Sequence, residues 1–148
     1  MRKAAVVFAL AFGFSVLLST VPVAAQEEGE EGHLFYVVTY KFVMPEDGTE
    51  EERDALLKEY IEAVTKKNEK IISHRELRHY VGSDVRDWLI VEEYATWADM
   101  GEADKISEEL TKKKWPDKKE RDEFFKKLGR YFPGHSDEIY TGLPELRK

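Results

Sequence analysis

The residues best suited to chemistry lie on a predicted strand over residues 71–81, IISHRELRHYV. At the two-residue period of a strand, His74, Glu76 and Arg78 share one face. They could project into the interior of a barrel and grip a polar ligand, with His74 titrating near neutral pH. They could also form a solvated strand face with cross-strand ion pairs. The sequence favours the solvated face, because charged residues are rarely enclosed.

Glu92 is the second candidate, on a predicted strand over residues 85–95. It shares a face with Trp88 and Tyr94, while the opposite face carries residues that suit a layer of helices, namely Leu89, Val91 and Ala95. We therefore expect Glu92 to point away from the helices. A carboxylate among aromatic rings would have a raised pKa and could act as a general base. Alternatively, Glu92 pairs with His74 or Arg78 across the hairpin.

The strand that must position these groups is predicted over His33 to Met44, HLFYVVTYKFVM. One face carries Leu34, Tyr36, Val38, Tyr40 and Phe42, and the other carries Phe35, Val37, Thr39, Lys41 and Val43. A half-solvated strand alternates apolar with polar residues, and this one scarcely does. We therefore expect other parts of the structure to cover it on both faces.

The other elements complete the order strand, helix, strand, strand, helix, strand. Capping patterns at Thr49 and Thr96 predict the two helix starts, and the first helix should end near Asn68. Pro116 breaks the second helix, which resumes over residues 117–129 before a last strand over residues 138–143. This order predicts the α+β class and the ferredoxin-like βαββαβ plan, with a four-stranded antiparallel sheet and both helices on one face. A second copy of the chain, packed sheet against sheet, would cover the other face.

The N-terminus has the pattern of a signal peptide. Arg2 and Lys3 precede an apolar run over residues 4–18, and small residues lead up to Ala25. Residues 1–25 should therefore be removed near Ala25 and the protein exported to a periplasm or beyond. An uncleaved membrane anchor is the alternative, although the run is short for a span. Residues 26–32, QEEGEEG, predict a disordered acidic leader, and residues 33–148 a single domain.

Charge and cysteine content exclude several classes of function. The 148 residues include 23 Lys and Arg against 30 Asp and Glu, a net charge of −7, and loss of Arg2 and Lys3 leaves about −9. Such a chain is poorly suited to nucleic acid or to an anionic membrane surface, so neither is expected as a partner of the mature protein. The absence of cysteine excludes disulfides and thiolate ligands. No spacing of histidines and acids supports zinc or haem iron, and no glycine-rich phosphate loop is present, so we expect no metal and no cofactor.

The chain resembles a known superfamily in its element order over Leu34 to Leu143 and in two local features. In Glu92 to Met100, EEYATWADM, a strand runs directly into a capped helix with an aromatic residue near its start. In Phe132 to Tyr140, FPGHSDEIY, a loop feeds the last strand. These features are similar to those of the dimeric α/β-barrel superfamily, in which two ferredoxin-like subunits pair their sheets into one barrel. Its members include cofactor-independent antibiotic-biosynthesis-type monooxygenases, stress-responsive A/B-barrel proteins, and muconolactone-isomerase-like and haem-handling proteins.

The resemblance implies a homodimer with a small-molecule pocket, either between helices and sheet or inside the paired barrel. The expected ligand is a small aromatic or polar–apolar organic molecule, and the activity would be monooxygenase- or isomerase-like without a cofactor. A non-catalytic exported module, with a barrel filled by side chains, is the alternative. The catalytic candidates are His74 and Glu92, and the ligand-binding candidates are Tyr36, Tyr40, Glu76, Arg78, Trp88, Tyr94 and Trp97.

Overall fold

The computed structural model describes residues 32–146, which form a four-stranded antiparallel sheet and three α-helices. In chain order the elements are β1 (Leu34–Lys41), α1 (Glu50–Ala63), β2 (Ser73–Arg78), β3 (Asp87–Tyr94), α2 (Trp97–Lys114), α3 (Lys118–Tyr131) and β4 (His135–Thr141). Short 3-10 turns lie at Thr65–Lys67 and Pro144–Leu146. The predicted signal peptide and all of the leader except Gly32 lie outside the described residues.

The sheet has the strand order β2-β3-β1-β4, and every neighbouring pair is antiparallel. The apolar strand β1 is central, as its composition requires. It pairs with β3 from Leu34 opposite Tyr94 to Lys41 opposite Asp87, and with β4 on its other side. The predicted ferredoxin-like plan is confirmed, including the break in the second helical segment.

Side-chain caps define where the helices begin. The Thr49 hydroxyl accepts a hydrogen bond from the Glu52 amide at 3.1 Å, and the Thr96 hydroxyl accepts one from the Asp99 amide at 3.1 Å. Both predicted helix starts are therefore confirmed. Each cap satisfies an amide that the first helical turn leaves without an intrahelical acceptor.

The break between α2 and α3 brings Trp115 into the core. Pro116 cannot continue α2, and Asp117 caps α3 by accepting hydrogen bonds from the amides of Lys119 and Glu120. The indole of Trp115 is buried, with its ring centre 4.2 Å from that of Phe124. The break therefore supplies an aromatic side chain to the helix layer, where it packs with Ala63 and Val64.

Several helices and strands begin or end at other residues than predicted, because of tertiary contacts. The helix α1 ends at Ala63 rather than Asn68, because the Asn68 amide donates to the Ala103 carbonyl and the Ser107 hydroxyl, each at 2.8 Å, and is buried there. The strand β4 starts at His135 rather than at residue 138, because His135 still pairs opposite Tyr40. The strands β2 and β3 are shorter than predicted, and residues 79–86 form a longer connection between them.

Candidate functional site

The sheet face that carries the candidate residues is the one covered by the helices. Cross-strand pairing places Tyr36 opposite Glu92, which is in turn opposite His74. The next rows carry Val38 with Ile90 and Glu76, and Tyr40 with Trp88 and Arg78. We call this surface the covered face. The other face, called the open face, carries the alternate residues Phe35, Val37, Thr39, Leu77, Leu89 and Val91.

The expectation that Trp88, Glu92 and Tyr94 point away from the helices is wrong. Trp88 lies under Arg53 of α1, with 5.1 Å between the guanidinium carbon and the ring centre. Tyr94 packs in a core cluster with Ala103 and Met100 of α2. The apolar residues Leu89 and Val91, which suited a helix layer by composition, face the open side instead.

A cavity of about 400 Å³ lies between the covered face and helices α1 and α3. Its floor is formed by the sheet residues Tyr36, Val38, Tyr40, His74, Glu76, Trp88, Ile90 and Glu92. Its roof is formed by Leu57, Tyr60, Ile61, Phe125, Leu128 and Gly129, with Phe132 following α3. A cavity of this size and composition, apolar walls around a few polar groups, is typical of a small-molecule site.

His74 lies between two carboxylates on the cavity floor. Its Nδ1 is 2.9 Å from Glu92 Oε1, and its Nε2 is 3.4 Å from Glu76 Oε1. Burial lowers the pKa of His74, but the two carboxylates stabilise the charged ring and together raise that pKa to about 9. At neutral pH His74 is therefore an imidazolium ion, and the expectation that it titrates near neutrality is wrong.

The pairing also decides between the two interpretations of these residues. His74 and Glu92 form the cross-strand pair that was one alternative for Glu92, but the pair is not on a solvated face. The His74 side chain is only 15% exposed. Within residues 32–146, His74 Nε2 is buried and has no hydrogen-bond partner. A buried donor in this state is costly unless another group satisfies it.

Two aromatic side chains hold the carboxylates in place. The Tyr94 hydroxyl donates to Glu92 Oε2 at 2.6 Å, and the Trp88 indole donates to Glu76 Oε2. Burial and the hydrogen bond to Glu92 raise the pKa of Tyr94 far above its usual value, so it stays a donor. Each carboxylate therefore has one oxygen fixed by an aromatic donor and the other close to His74.

The walls of the cavity are largely aromatic. Phe132 contacts Tyr40 and Trp88 edge to face, with ring centres 5.3 Å and 5.6 Å apart. Burial and a hydrogen bond to Asp137 raise the pKa of Tyr36 to about 12. These rings are neutral over the physiological pH range, so the charge of the site is concentrated in His74 and its two carboxylates.

The structure brings six of the nine candidate residues to the cavity surface: Tyr36, Tyr40, His74, Glu76, Trp88 and Glu92. Tyr94 is buried behind Glu92. The side chain of Arg78 is 60% exposed and is not part of the lining. Trp97 is 62% exposed and borders a separate cleft with Leu34 and Tyr140. Arg78 and Trp97 are therefore not brought into this cavity.

Sequence reasoning missed the helix residues of the roof. Leu57, Tyr60, Phe125 and Leu128 belong to stripes at helical spacing, which were interpreted as core. The presence of Tyr60 and Phe125 in those stripes is compatible with a ligand wall, but an aromatic stripe at helical spacing does not distinguish a wall from a packed core. Arg53, which is buried although charged, was also missed.

Two further properties of residues 32–146 concern membranes and metal ions. No helix there is long and apolar enough to cross a membrane. The same residues contain no group of three or more His, Cys, Asp or Glu side chains placed to hold a metal ion.

Several solved structures are similar to this chain, whereas no protein-family profile and no curated sequence matches it. A dimeric ferredoxin-like protein from an uncultured marine organism has a TM-score of 0.52 at 14% identity, over 80% of this chain and 95% of its own. A NIPSNAP family protein from Agrobacterium tumefaciens has a TM-score of 0.52 at 13% identity, over 78% and 90%. A variant of SnoaB, a cofactor-independent oxygenase from Streptomyces nogalater, has a TM-score of 0.50 at 9% identity, over 79% and 99%. At these identities the likeness is one of fold alone, and that fold is ferredoxin-like, as the element order predicted.

Proposed function

We propose that this chain is an exported homodimer that binds a small, largely aromatic organic molecule in the cavity between its sheet and its helices. The observation that carries the proposal is the state of His74. A charged ring on the cavity floor has one buried N–H without a hydrogen-bond partner in residues 32–146. A ligand oxygen would satisfy that donor, and the aromatic walls would hold the rest of the molecule.

The same groups support proton-transfer chemistry on the ligand. His74 as an imidazolium can donate its Nε2 proton to a carbonyl or enolate oxygen. The Glu92 carboxylate, 2.9 Å from the ring, can accept a proton from a neighbouring carbon or hydroxyl. A keto–enol isomerisation proceeds by these two transfers, after which exchange with water returns a proton to His74 and removes one from Glu92. An oxygenase-like reaction can begin with the same proton removal, with dioxygen as the oxidant. The fold is shared with SnoaB, a cofactor-independent oxygenase, which is compatible with either reaction.

The open face supports the dimer. Its centre is apolar, with Val37 directly opposite Val91 and Leu77 opposite Leu89, and Leu77 is exposed. Charged residues such as Lys41, Asp87 and Glu138 lie toward its edges. An apolar centre with a polar rim is typical of a protein–protein interface. A dimeric ferredoxin-like protein is among the solved structures that share the fold.

Glycine substitutions in two helices test the cavity directly. Gly129 of α3 lines the cavity, and a Cβ built on it meets no atom within 4 Å. Gly129→Leu should fill the space and weaken the binding of 1-naphthol, measured by tryptophan fluorescence or calorimetry, by about tenfold or more. Gly101→Leu is the matched control, because Gly101 is helical, equally unobstructed and outside the cavity.

Both leucines suit a helix interior better than glycine, so neither variant should fail to fold. Equal 1-naphthol binding by the wild type and Gly129→Leu would show that the cavity is not the binding site. No binding of this probe by the wild type would favour the non-catalytic module.

A further inference from the structure

Arg53 is a charged residue enclosed in the helix layer. It is 3% exposed and lies in the first turns of α1. Its guanidinium packs over the neighbouring rings of Phe42 and Trp88, with the central carbon 5.1 Å from each ring centre. Two aromatic rings packed against one side of a guanidinium stabilise its positive charge and limit where the group can move.

The hydrogen bonds of Arg53 are incomplete. Its Nε donates to Asp54 Oδ1 at 2.8 Å, and its Nη2 lies 2.7 Å from the same oxygen. Its Nη1 is buried and has no hydrogen-bond partner in the part of the chain that the structure describes. The nearest carboxylate oxygen, Glu50 Oε1, is 3.7 Å away, which is beyond hydrogen-bonding distance. A buried guanidinium N–H without an acceptor is strongly unfavourable.

A second guanidinium approaches the same carboxylate oxygen. Arg78 Nη1 lies 3.8 Å from Glu50 Oε1. Glu50 therefore places one oxygen between two arginines and forms a hydrogen bond with neither. The Glu50 side chain is 58% exposed, so it can move into solvent without disturbing the core. Two guanidinium groups converging on one point are suited to a carboxylate, which accepts several N–H donors at once.

We propose that the space between Arg53 and Arg78 binds the carboxylate of an organic acid, and that Glu50 is an internal occupant which this carboxylate displaces. Trp88 connects this position to the cavity, because its ring contacts Arg53 and also lines the cavity floor. The inference rests on the proposed function and narrows its ligand to an aromatic acid, with the ring system in the cavity and the carboxylate between the arginines.

The charges around the site agree with this assignment. With Glu50 in place, the two arginines are balanced by Glu50 and Asp54, so a ligand anion gains little. When Glu50 moves out, one positive charge is left uncompensated, in a chain whose net charge is −7. The nearby Glu76 carboxylate is already engaged, since one oxygen accepts from Trp88 and the other lies 3.4 Å from His74 Nε2.

Two probes with the same ring system separate the carboxylate site from the cavity. Glu50→Gln removes the competing charge, so it should strengthen binding of 1-naphthoate by about fivefold to tenfold and leave 1-naphthol binding within about twofold. Glu51→Gln is the matched control, because Glu51 lies in the same helical turn and is exposed. It should change the affinity for neither probe.

Arg78→Gln gives the opposite result with little risk to folding, because its side chain is mostly exposed. It should weaken 1-naphthoate binding by about tenfold and spare 1-naphthol, whereas Arg86→Gln, in the exposed connection after β2, should spare both. A protein that binds both probes, but whose 1-naphthoate affinity neither substitution changes, would overturn the carboxylate site and leave the cavity intact. A wild-type protein that binds neither probe would overturn both proposals.

Discussion

The two faces of the sheet differ in where their charged side chains lie. The covered face, enclosed beneath the helices, carries His74, Glu76 and Glu92. The open face, which no helix of residues 32–146 covers, carries a centre of valine, leucine and phenylalanine. Enclosed charge is unfavourable unless it is paired or serves a ligand, and exposed apolar surface is unfavourable unless a partner covers it. The difference teaches why two occupants are proposed, a small molecule for the covered face and a second chain for the open face.

The largest expected effect comes from placing a charge at the centre of the open face. Val37→Asp should weaken self-association at least about a hundredfold, because the proposed dimer would enclose an unpaired carboxylate. Sedimentation equilibrium measures the change. Val85→Asp, at an exposed position outside the sheet, should leave the association unchanged. An unaltered dimer in the Val37 variant would show that the open face is not the interface.

The next effect concerns the covered face and depends on pH. The pKa of His74 rises from 6.5 to about 9 on folding, so its charged form stabilises the folded state fully below about pH 6.5. That stabilisation, about 3 kcal/mol, is lost as the pH rises through about 9. His74→Gln should therefore lower the free energy of unfolding by that amount at about pH 6 and by much less at about pH 10.

Chemical denaturation at the two pH values provides the measurement, and His135→Gln is the control at an exposed histidine. A destabilisation by His74→Gln that is equal at both values would mean that the ion pairs of the covered face do not contribute through the charge of His74.

The smallest effect concerns the attachment of the helices over the covered face. The buried Tyr131 hydroxyl at the end of α3 accepts from the Thr49 amide at 3.1 Å and donates to Glu52 Oε2 at 2.5 Å. Tyr131→Phe should lower the free energy of unfolding by about 1 kcal/mol, since it leaves both groups without this partner. Thermal or chemical unfolding measures it, with Tyr80→Phe, at an almost fully exposed position, as the reference. Equal stabilities of the two variants would contradict a role for this contact in holding α1 to α3.

The elements of the fold were predictable where the signal is local. Thr49, Thr96 and Pro116 mark helix starts and a helix break through capping geometry and ring constraints that depend on a few neighbouring residues. The ends of α1, β2 and β4 were not predictable in the same way. Asn68 leaves the helix to bind α2, and His135 belongs to a strand because Tyr40 is opposite it. Those contacts join residues far apart in the sequence.

The residues that share the site could be predicted from the sequence, but their burial beneath the helices could not. Alternation along β2 and β3 correctly grouped His74 with Glu76 and Trp88 with Glu92. Composition then suggested that Leu89 and Val91 face the helices, and this was wrong. Nothing in the sequence indicated that Arg53 is buried, because an arginine in the first turns of a helix is ordinarily solvated. Arg53 is enclosed because the rings of Phe42 and Trp88, which belong to other segments of the chain, pack against its guanidinium.

The sequence by itself determined which side chains lie together on a face, because the pleat of a strand sends successive residues to opposite sides whatever surrounds them. Only the tertiary structure decided which of the two faces of this sheet lies beneath the helices. That choice depends on the packing of whole layers. Both faces of β1 are apolar enough to pack against either the helices or a second sheet. Among the described residues 32–146, the nitrogens of His74 and Arg53 that lack a partner exist only as a result of that choice, since burial and hydrogen-bond geometry are properties of the assembled fold.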